Sequence, residues 1–171
     1  MTKNLLFTRS GKKVDILNPK PDMIEFEDIV FGLSRHARYS GQTRVPYSVA
    51  EHSMYTAMLS PKDYKKEALF HDSAEAYIGD IPSPVKDLIP EYEAIEEGIR
   101  KAIFEKFGLD HSKYEAVLEY DMKLRKKEIV TLFEEPDHDN ISEEVDMIIY
   151  CMPPVQARHE FTLYSELLEI I

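Results

Sequence analysis

The chain has 171 residues, of which 43% are hydrophobic and 31% charged, a balance typical of a folded globular protein and not of a disordered or collagen-like chain. It contains no apolar run long enough for a transmembrane helix, and Cys151, as the one cysteine, excludes an intrachain disulfide. The formal net charge of −11 argues against general nucleic-acid binding, which depends on Lys and Arg at phosphates. We expect one cytoplasmic domain spanning residues 1–171, with neither a nucleic-acid nor a membrane partner.

In chain order, the pattern predicts a short hairpin followed by helices. Residues 5–8 and 13–17 flank a Ser-Gly-Lys turn, which is a hairpin signal. Apolar spacing and Pro or Gly boundaries then predict helices over residues 27–38, 46–59, 61–78, 91–107, 112–133, 142–150 and 160–170. The expected fold class is all-α with a marginal N-terminal β hairpin.

Three of the predicted helices carry ionisable residues on apolar faces. These residues are His52, Asp72 with the adjacent His71, and Asp121. A buried isolated charge costs several kcal/mol, so such a group must be paired, neutralised or bound to metal. Two imidazoles and two carboxylates would suit a divalent ion such as Mn²⁺, Co²⁺ or Zn²⁺ with positions open to water. Hydrogen-bonded or salt-bridged core residues are the alternative, with Arg125 as a partner for Asp121.

The order and surroundings of these residues resemble the HD-domain metal-dependent phosphohydrolases. Residues 48–53 (SVAEHS) and 71–86 (HDSAEAYIGDIPSPVK) are similar to YfbR-type 5′-deoxynucleotidases, and equally to the short phage and bacterial group that includes DatZ-type dATP triphosphohydrolases. Residues 21–29, 33–35 and 41–44 resemble the short group more closely. The fold implied by this resemblance is a single HD domain.

The resemblance also implies roles at individual positions. The implied metal ligands are His52, His71, Asp72 and Asp121. The implied catalytic residues are Glu75 and Asp80. The residues expected at the substrate are Arg38, Tyr39 and Lys86, joined by Arg44 as a further cation for phosphate. In the related nucleotidases the position of Tyr39 carries Trp.

Several of these roles have alternatives. Glu75 either hydrogen-bonds the attacking water or holds a metal-bound imidazole, and Asp80 either protonates the leaving oxygen or orients the nucleophile. Binuclear HD enzymes need further histidines between the HD pair and the last Asp, and here only His111 occurs there. We therefore expect one divalent ion (Co, Mn, Zn or Mg). The basic run at residues 123–127 is either a solvated face or a rim that attracts phosphate.

The resemblance favours one function. We expect a metal-dependent dNTP triphosphohydrolase of the dATP type, which releases deoxynucleoside and triphosphate by attack of a metal-activated water. The alternatives are a 5′-deoxynucleotidase that acts on dNMPs and a non-catalytic nucleotide-binding HD module. The expected partners are a small nucleotide substrate and further copies of the chain in a homo-oligomer. The expected location is the cytoplasm of a bacterial cell or a phage-infected host.

Overall fold

The computed structural model describes residues 4–135 and 145–171. A two-stranded antiparallel hairpin comes first, in which β1 (Leu5–Phe7) pairs with β2 (Lys13–Asp15). The helices in the described residues are α1 (Phe26–Leu33), α2 (Val49–Leu59), α3 (Lys65–Phe70), α4 (Glu75–Ile78), α5 (Ser83–Lys86), α6 (Pro90–Phe107), α7 (Tyr114–Leu132) and α8 (Pro154–Leu167). The all-α class with a small hairpin is confirmed. None of these helices has the length and apolarity needed to cross a membrane.

The predicted helix over residues 61–78 is interrupted. It divides into α3 and α4, and a turn over residues 71–74 separates them. Nδ1 of His71 donates to the carbonyl of Ala68 at 2.7 Å, while the amides of Ser73 and Glu75 each bond the carbonyl three residues earlier. This tighter hydrogen bonding breaks the α-helical ladder. Because of this turn, the side chains of His71 and Asp72 are not restricted to the directions that one continuous α-helix would give them.

The predicted helix over residues 142–150 is wrong for the part that the structure describes. Residues 145–150 are irregular, and residues 136–144 lie outside the described residues. The carboxylate of Glu51, which is fully buried, accepts the backbone N–H groups of Tyr150, Cys151 and Met152 at 3.1, 2.9 and 2.7 Å. These backbone donors are thus satisfied by a side chain from α2 instead of by a helix.

Other helix boundaries shift for local reasons. The second helix begins at Val49 because Ser48 caps it, with its Oγ accepting the N–H of Glu51 at 3.2 Å. The last helix begins earlier than expected, at Pro154, because proline fits a first-turn position where no amide bond is needed.

Helix α2 lies at the centre of the fold and therefore positions one part of the site. Residues 49–57 of this helix are all buried, and α2 packs against α3, α7 and α8. A helix surrounded on all sides has no solvent face, so it lacks a strong amphipathic pattern. Beside it, the rings of Phe26, Phe70, Phe107 and Phe161 meet at centroid distances of 5.3–6.5 Å. This packing fixes the backbone from which His52 projects.

Helices α1 and α4 approach each other closely at Gly32, and this contact provides a test of the packing. A Cβ atom at Gly32 would lie 2.6 Å from the carbonyl oxygen of Ala76. Gly32→Ala is therefore expected to lower the free energy of unfolding by about 1–3 kcal/mol. Gly98→Ala, inside α6, is the control, because its new Cβ would meet only Pro19, at 3.7 Å. This substitution is expected to raise the free energy of unfolding by about 0.5–1 kcal/mol. Equal effects of the two substitutions on denaturant unfolding would contradict the close contact.

Candidate metal centre

Four of the predicted site residues converge from three parts of the chain. His52 projects from α2, His71 and Asp72 from the turn after α3, and Asp121 from α7. Nε2 of His52 lies 3.3 Å from Nε2 of His71, 3.5 Å from Oδ2 of Asp72 and 3.0 Å from Oδ1 of Asp121. Nε2 of His71 lies 3.2 and 4.0 Å from the same two carboxylate oxygens. The ligand atoms of His52, His71 and Asp72 lie within 4.8 Å of one another and could hold a metal ion, and Oδ1 of Asp121 lies within 4.0 Å of both imidazole nitrogens.

The hydrogen bonds of the two Nδ1 atoms determine which nitrogen of each imidazole faces the centre. Nδ1 of His71 donates to the carbonyl of Ala68, and Nδ1 of His52 donates to Oε1 of Glu128 at 2.6 Å. Carbonyl and carboxylate oxygens only accept, so each Nδ1 atom carries a hydrogen. In the neutral ring the lone pair is therefore on Nε2, which faces the carboxylates, as it does in metal-binding histidines.

Positive charge stabilises the lone pairs that the imidazoles and carboxylates direct toward the centre. Burial and the cation of Arg38 disfavour a charged His52, but the carboxylates of Glu128 and Asp121 outweigh them and raise its pKa to about 9. The imidazoles lower the pKa of Asp121 despite its burial, and a hydrogen bond from His52 contributes to this shift. The site thus attracts a cation or a proton.

The donor set fits a divalent transition-metal ion. Imidazole nitrogen and carboxylate oxygen are ligands that Zn²⁺, Mn²⁺ and Co²⁺ accept. Ligands about 2.0–2.2 Å from one ion lie roughly 3.0–3.5 Å apart, and four of the five distances given above fall in that range. The separation between His71 and Asp121, at 4.0 Å, is slightly longer.

The centre opens into a cleft of about 580 Å³. Asp72 and Asp121 line its floor, and α5 with the preceding loop forms one wall. Seven carboxylate side chains line the cleft: Asp72, Glu75, Asp80, Asp87, Glu93, Glu96 and Asp121. Its three cationic side chains are Arg38, Lys86 and Arg125. The volume is sufficient for a small ligand.

Glu75 lines this cleft from the start of α4. Its Oε1 accepts from Nζ of Lys86 at 3.2 Å, while Oε2 is buried without a hydrogen-bond partner. Burial and the carboxylates of Asp72 and Asp80 raise the pKa of Glu75 well above its usual range. The Nδ1 atom of His71 is already bonded to a backbone carbonyl, so Glu75 does not hold that imidazole. Its Oε2 atom therefore has no partner among the described side chains.

Asp80 follows α4 after a sharp turn at Gly79, whose φ of +85° is readily adopted by glycine. Tyr92 stabilises this turn by donating its hydroxyl to the Gly79 carbonyl at 2.7 Å. Burial and the nearby carboxylate of Asp72 raise the pKa of Asp80, against the effect of Arg38. Asp80 thus presents a carboxyl group with raised proton affinity to the cleft.

The residues expected at the substrate do not all lie together. Arg38 and Tyr39 line the cleft, as does Lys86, whose Nζ also contacts Glu96 at 2.7 Å. Arg38 is buried and places Nη1 3.3 Å from Oδ2 of Asp72, so it orients a carboxylate of the centre as well as facing the cleft. The Tyr39 ring packs edge-to-face on Phe133 at 5.2 Å, with its hydroxyl directed into the protein.

Arg44 does not line the cleft. Its guanidinium donates to the carbonyl of Thr131, and its backbone amide bonds the carbonyl of Leu132 at 2.9 Å. Arg44 therefore satisfies free carbonyls at the C-terminal end of α7, a favourable place for a cation. Of the basic run at residues 123–127, Arg125 reaches the cleft and donates to Oγ of Ser83 at 3.1 Å.

Glu128 is a site residue that the sequence analysis missed. It is fully buried, and the hydroxyls of Tyr39 and Tyr47 donate to it at 2.7 and 2.8 Å, in addition to His52. These cationic and hydroxyl partners lower its pKa although burial opposes the shift. A sequence signal existed, because Glu128 follows Asp121 by seven residues and so lies two turns along the same helix face.

Comparison with known proteins agrees with this geometry. Residues 45–145 match the sequence model of the family described as 5′-deoxynucleotidase YfbR-like. The uncharacterized protein YfdR of Escherichia coli K12 is 42% identical over 102 residues, which cover 60% of this chain and 57% of YfdR. An uncharacterized protein of Rhodobacter capsulatus is 33% identical over 180 residues, which cover 90% of this chain and 89% of that protein. The chain therefore belongs to the YfbR-like 5′-deoxynucleotidase family, and it is an HD-domain enzyme of the phosphohydrolase kind.

Proposed function

We propose that residues 1–171 form one HD domain that hydrolyses deoxynucleoside 5′-monophosphates to deoxynucleoside and phosphate. The observation that carries this proposal is the close group of His52, His71 and Asp72, with Asp121 beside it, next to a cleft that Asp72 and Asp121 line together with Arg38 and Lys86. Family membership gives the reaction class, and the cleft supplies the groups that this class requires. We also propose, from the resemblance, a homo-oligomer located in the cytoplasm.

The proposed ligands of a single divalent ion are His52, His71, Asp72 and Asp121. A bound ion of this kind supplies Lewis acidity, which acidifies water and polarises a phosphoryl oxygen. Glu128 and Ala68 orient the two imidazoles with Nε2 toward the centre, because each accepts an Nδ1–H. Arg38 adds a fixed cation, since burial opposes its charge but Glu128 and Asp72 raise its pKa.

The remaining steps are assigned to two carboxyl groups. Glu75 accepts a proton from the attacking water at Oε2, while Lys86 keeps its other oxygen occupied. The water oxygen bonds to phosphorus as the bond from phosphorus to the 5′ oxygen breaks. Asp80, whose pKa is raised by burial, provides the proton for the departing 5′ oxygen. Arg38 and Lys86 offset the charge of the phosphoryl oxygens.

The charge of the cleft favours a monophosphate substrate. Seven carboxyl groups and three cations line the cleft, so with one divalent ion the formal charge of the lining is −2 when all seven are ionised and 0 when Glu75 and Asp80 hold protons. A triphosphate carries about two more negative charges than a monophosphate at neutral pH, and it would therefore be repelled more strongly. The second candidate, dATP triphosphohydrolase activity, is supported by the resemblance of residues 21–29, 33–35 and 41–44 to the short group.

Product analysis separates the candidates. We expect chelator-treated protein resupplied with Mn²⁺ or Co²⁺ to convert dAMP to deoxyadenosine and phosphate, with a kcat/KM at least tenfold above that for dATP. Chromatography of the nucleosides together with separate assays for phosphate and triphosphate identifies the bond that breaks. Deoxyadenosine and triphosphate from dATP, with dAMP left intact, would replace the proposal by triphosphohydrolase activity. Nucleotide binding without any turnover would make the protein a binding module.

A further inference from the structure

We propose that Glu128 is a positioning residue that orients both the metal side and the substrate side of the site through a single carboxylate. Its two oxygens face different groups. Oε1 receives the hydrogen bonds of His52 and Tyr47, and Oε2 receives that of Tyr39 and faces the guanidinium of Arg38. The substrate half of this inference rests on the proposed function, whereas the metal half does not.

On the metal side, Glu128 determines which nitrogen of His52 faces the centre. The Nδ1–Oε1 distance of 2.6 Å is short, and a carboxylate cannot donate, so the ring hydrogen stays on Nδ1. A partner at Oε1 that could donate would favour the other tautomer, with the hydrogen on Nε2 and no lone pair for a cation. The Tyr47 hydroxyl, at 2.8 Å, fixes Oε1 from a second direction.

On the substrate side, Glu128 holds a backbone conformation that is otherwise unfavourable. Tyr39 and Ser40 have φ values of 55° and 51°, in the left-handed region that side chains other than glycine seldom adopt. The Tyr39 hydroxyl reaches Oε2 at 2.7 Å, and Nε of Arg38 lies 3.4 Å from the same oxygen. Both side chains line the cleft, so their placement depends on this oxygen.

Glu128 acts only through these neighbours. Its exposed fraction is 0%, and it does not line the cleft, so it reaches neither substrate nor solvent. It lies two turns beyond Asp121 on α7, with the buried Leu124 between them. One helix therefore carries both a proposed metal ligand and the residue that orients another, His52.

The isosteric variant Glu128→Gln tests the inference, because an amide has one accepting oxygen in place of two. Whichever way the amide turns, its NH₂ group faces either His52 or the Arg38–Tyr39 pair. We expect the Kd of the metal-free protein for Co²⁺, measured by calorimetry and by the visible spectrum of bound Co²⁺, to rise 10- to 100-fold. At saturating Co²⁺ we also expect the KM for dAMP to rise at least fivefold.

Two further variants keep the test decisive. Tyr39→Phe removes a donor on the substrate side alone, so the KM for dAMP should rise while the Kd for Co²⁺ stays within about threefold of the wild-type value. Glu51→Gln is the matched control, because Glu51 is equally buried and serves the backbone at residues 150–152 instead of the centre. This control should lower the unfolding temperature and leave the Kd for Co²⁺ unchanged.

Unchanged Co²⁺ affinity in a folded Glu128→Gln protein would overturn the metal half, and an unchanged KM would overturn the substrate half. Should Glu128→Gln fail to fold, Glu128→Asp keeps the charge but is one methylene too short to serve both sides, and the same two expectations apply to it. The Co²⁺ titration needs no nucleotide. A wild-type protein that binds Co²⁺ without hydrolysing dAMP would therefore refute the proposed function and leave the metal half intact.

Discussion

Replacing Asp121 by alanine is expected to lower kcat/KM for the nucleotide by about a thousandfold or more and to abolish tight Co²⁺ binding. The expected loss is large because a Lewis acid contributes several kcal/mol of transition-state stabilisation. The Asp121 carboxylate contacts the imidazoles of His52 and His71, so its removal affects the centre more than the surrounding fold. Steady-state assays and a Co²⁺ titration of the same preparation measure both effects.

The control for this variant is Glu119→Ala on the same helix. Glu119 is exposed and pairs with Lys123 at 2.6 Å, away from the centre, so kcat/KM should stay within about twofold of the wild-type value. Thermal unfolding of Asp121→Ala should remain cooperative, since the substitution removes contacts to the two imidazoles and leaves the hydrophobic core unchanged. An Asp121→Ala protein that binds Co²⁺ as tightly as the wild type would remove Asp121 from the ligand set.

The second large effect is expected at Glu75. Glu75→Gln keeps the shape of the side chain and an oxygen for Lys86, but it removes the group that accepts a proton from water. We expect kcat to fall by about 10²- to 10⁴-fold while Co²⁺ affinity stays within about threefold. Because burial and the adjacent carboxylates raise the pKa of Glu75, the wild-type rate should increase as the pH rises through that pKa. This increase should be absent from the pH–rate profile of the variant.

Glu96→Gln provides the comparison, because Glu96 is the other carboxylate in contact with Nζ of Lys86, at 2.7 Å. If the effect at Glu75 arose only from a misplaced Lys86, both variants would lose rate to a similar degree. The account predicts a loss of less than about tenfold for Glu96→Gln. A drop in Co²⁺ affinity in Glu75→Gln would instead place Glu75 among the metal ligands.

The centre could be located from the sequence because its signals are local. His71 and Asp72 are adjacent, and the run over residues 71–86 carries a specific motif in a short stretch. His52 and Asp121 each occupy a position three or four residues from buried apolar side chains on their own helices. Helical spacing was sufficient to direct these side chains inward, although it could not show that the three parts of the chain meet at one point.

The features that were missed depend on contacts between distant parts of the chain. Glu128 follows two lysines and reads as part of a solvated charged helix, and its burial depends on Tyr39, 89 residues away. Arg44 reads as a free loop cation, yet it bonds carbonyls at the end of α7, 87 residues away. Residues 145–150 read as helical, but Glu51 bonds the backbone N–H groups of residues 150–152. Periodicity describes one helix at a time, so it cannot detect such partners.

Anomalous diffraction from crystals grown with Co²⁺ tests the central claim most directly, because it locates the ion itself. The account predicts one anomalous peak per chain, about 2.0–2.2 Å from Nε2 of His52, Nε2 of His71 and one oxygen each of Asp72 and Asp121. A peak bound elsewhere in the cleft, or no peak between these four side chains at saturating Co²⁺, would contradict it.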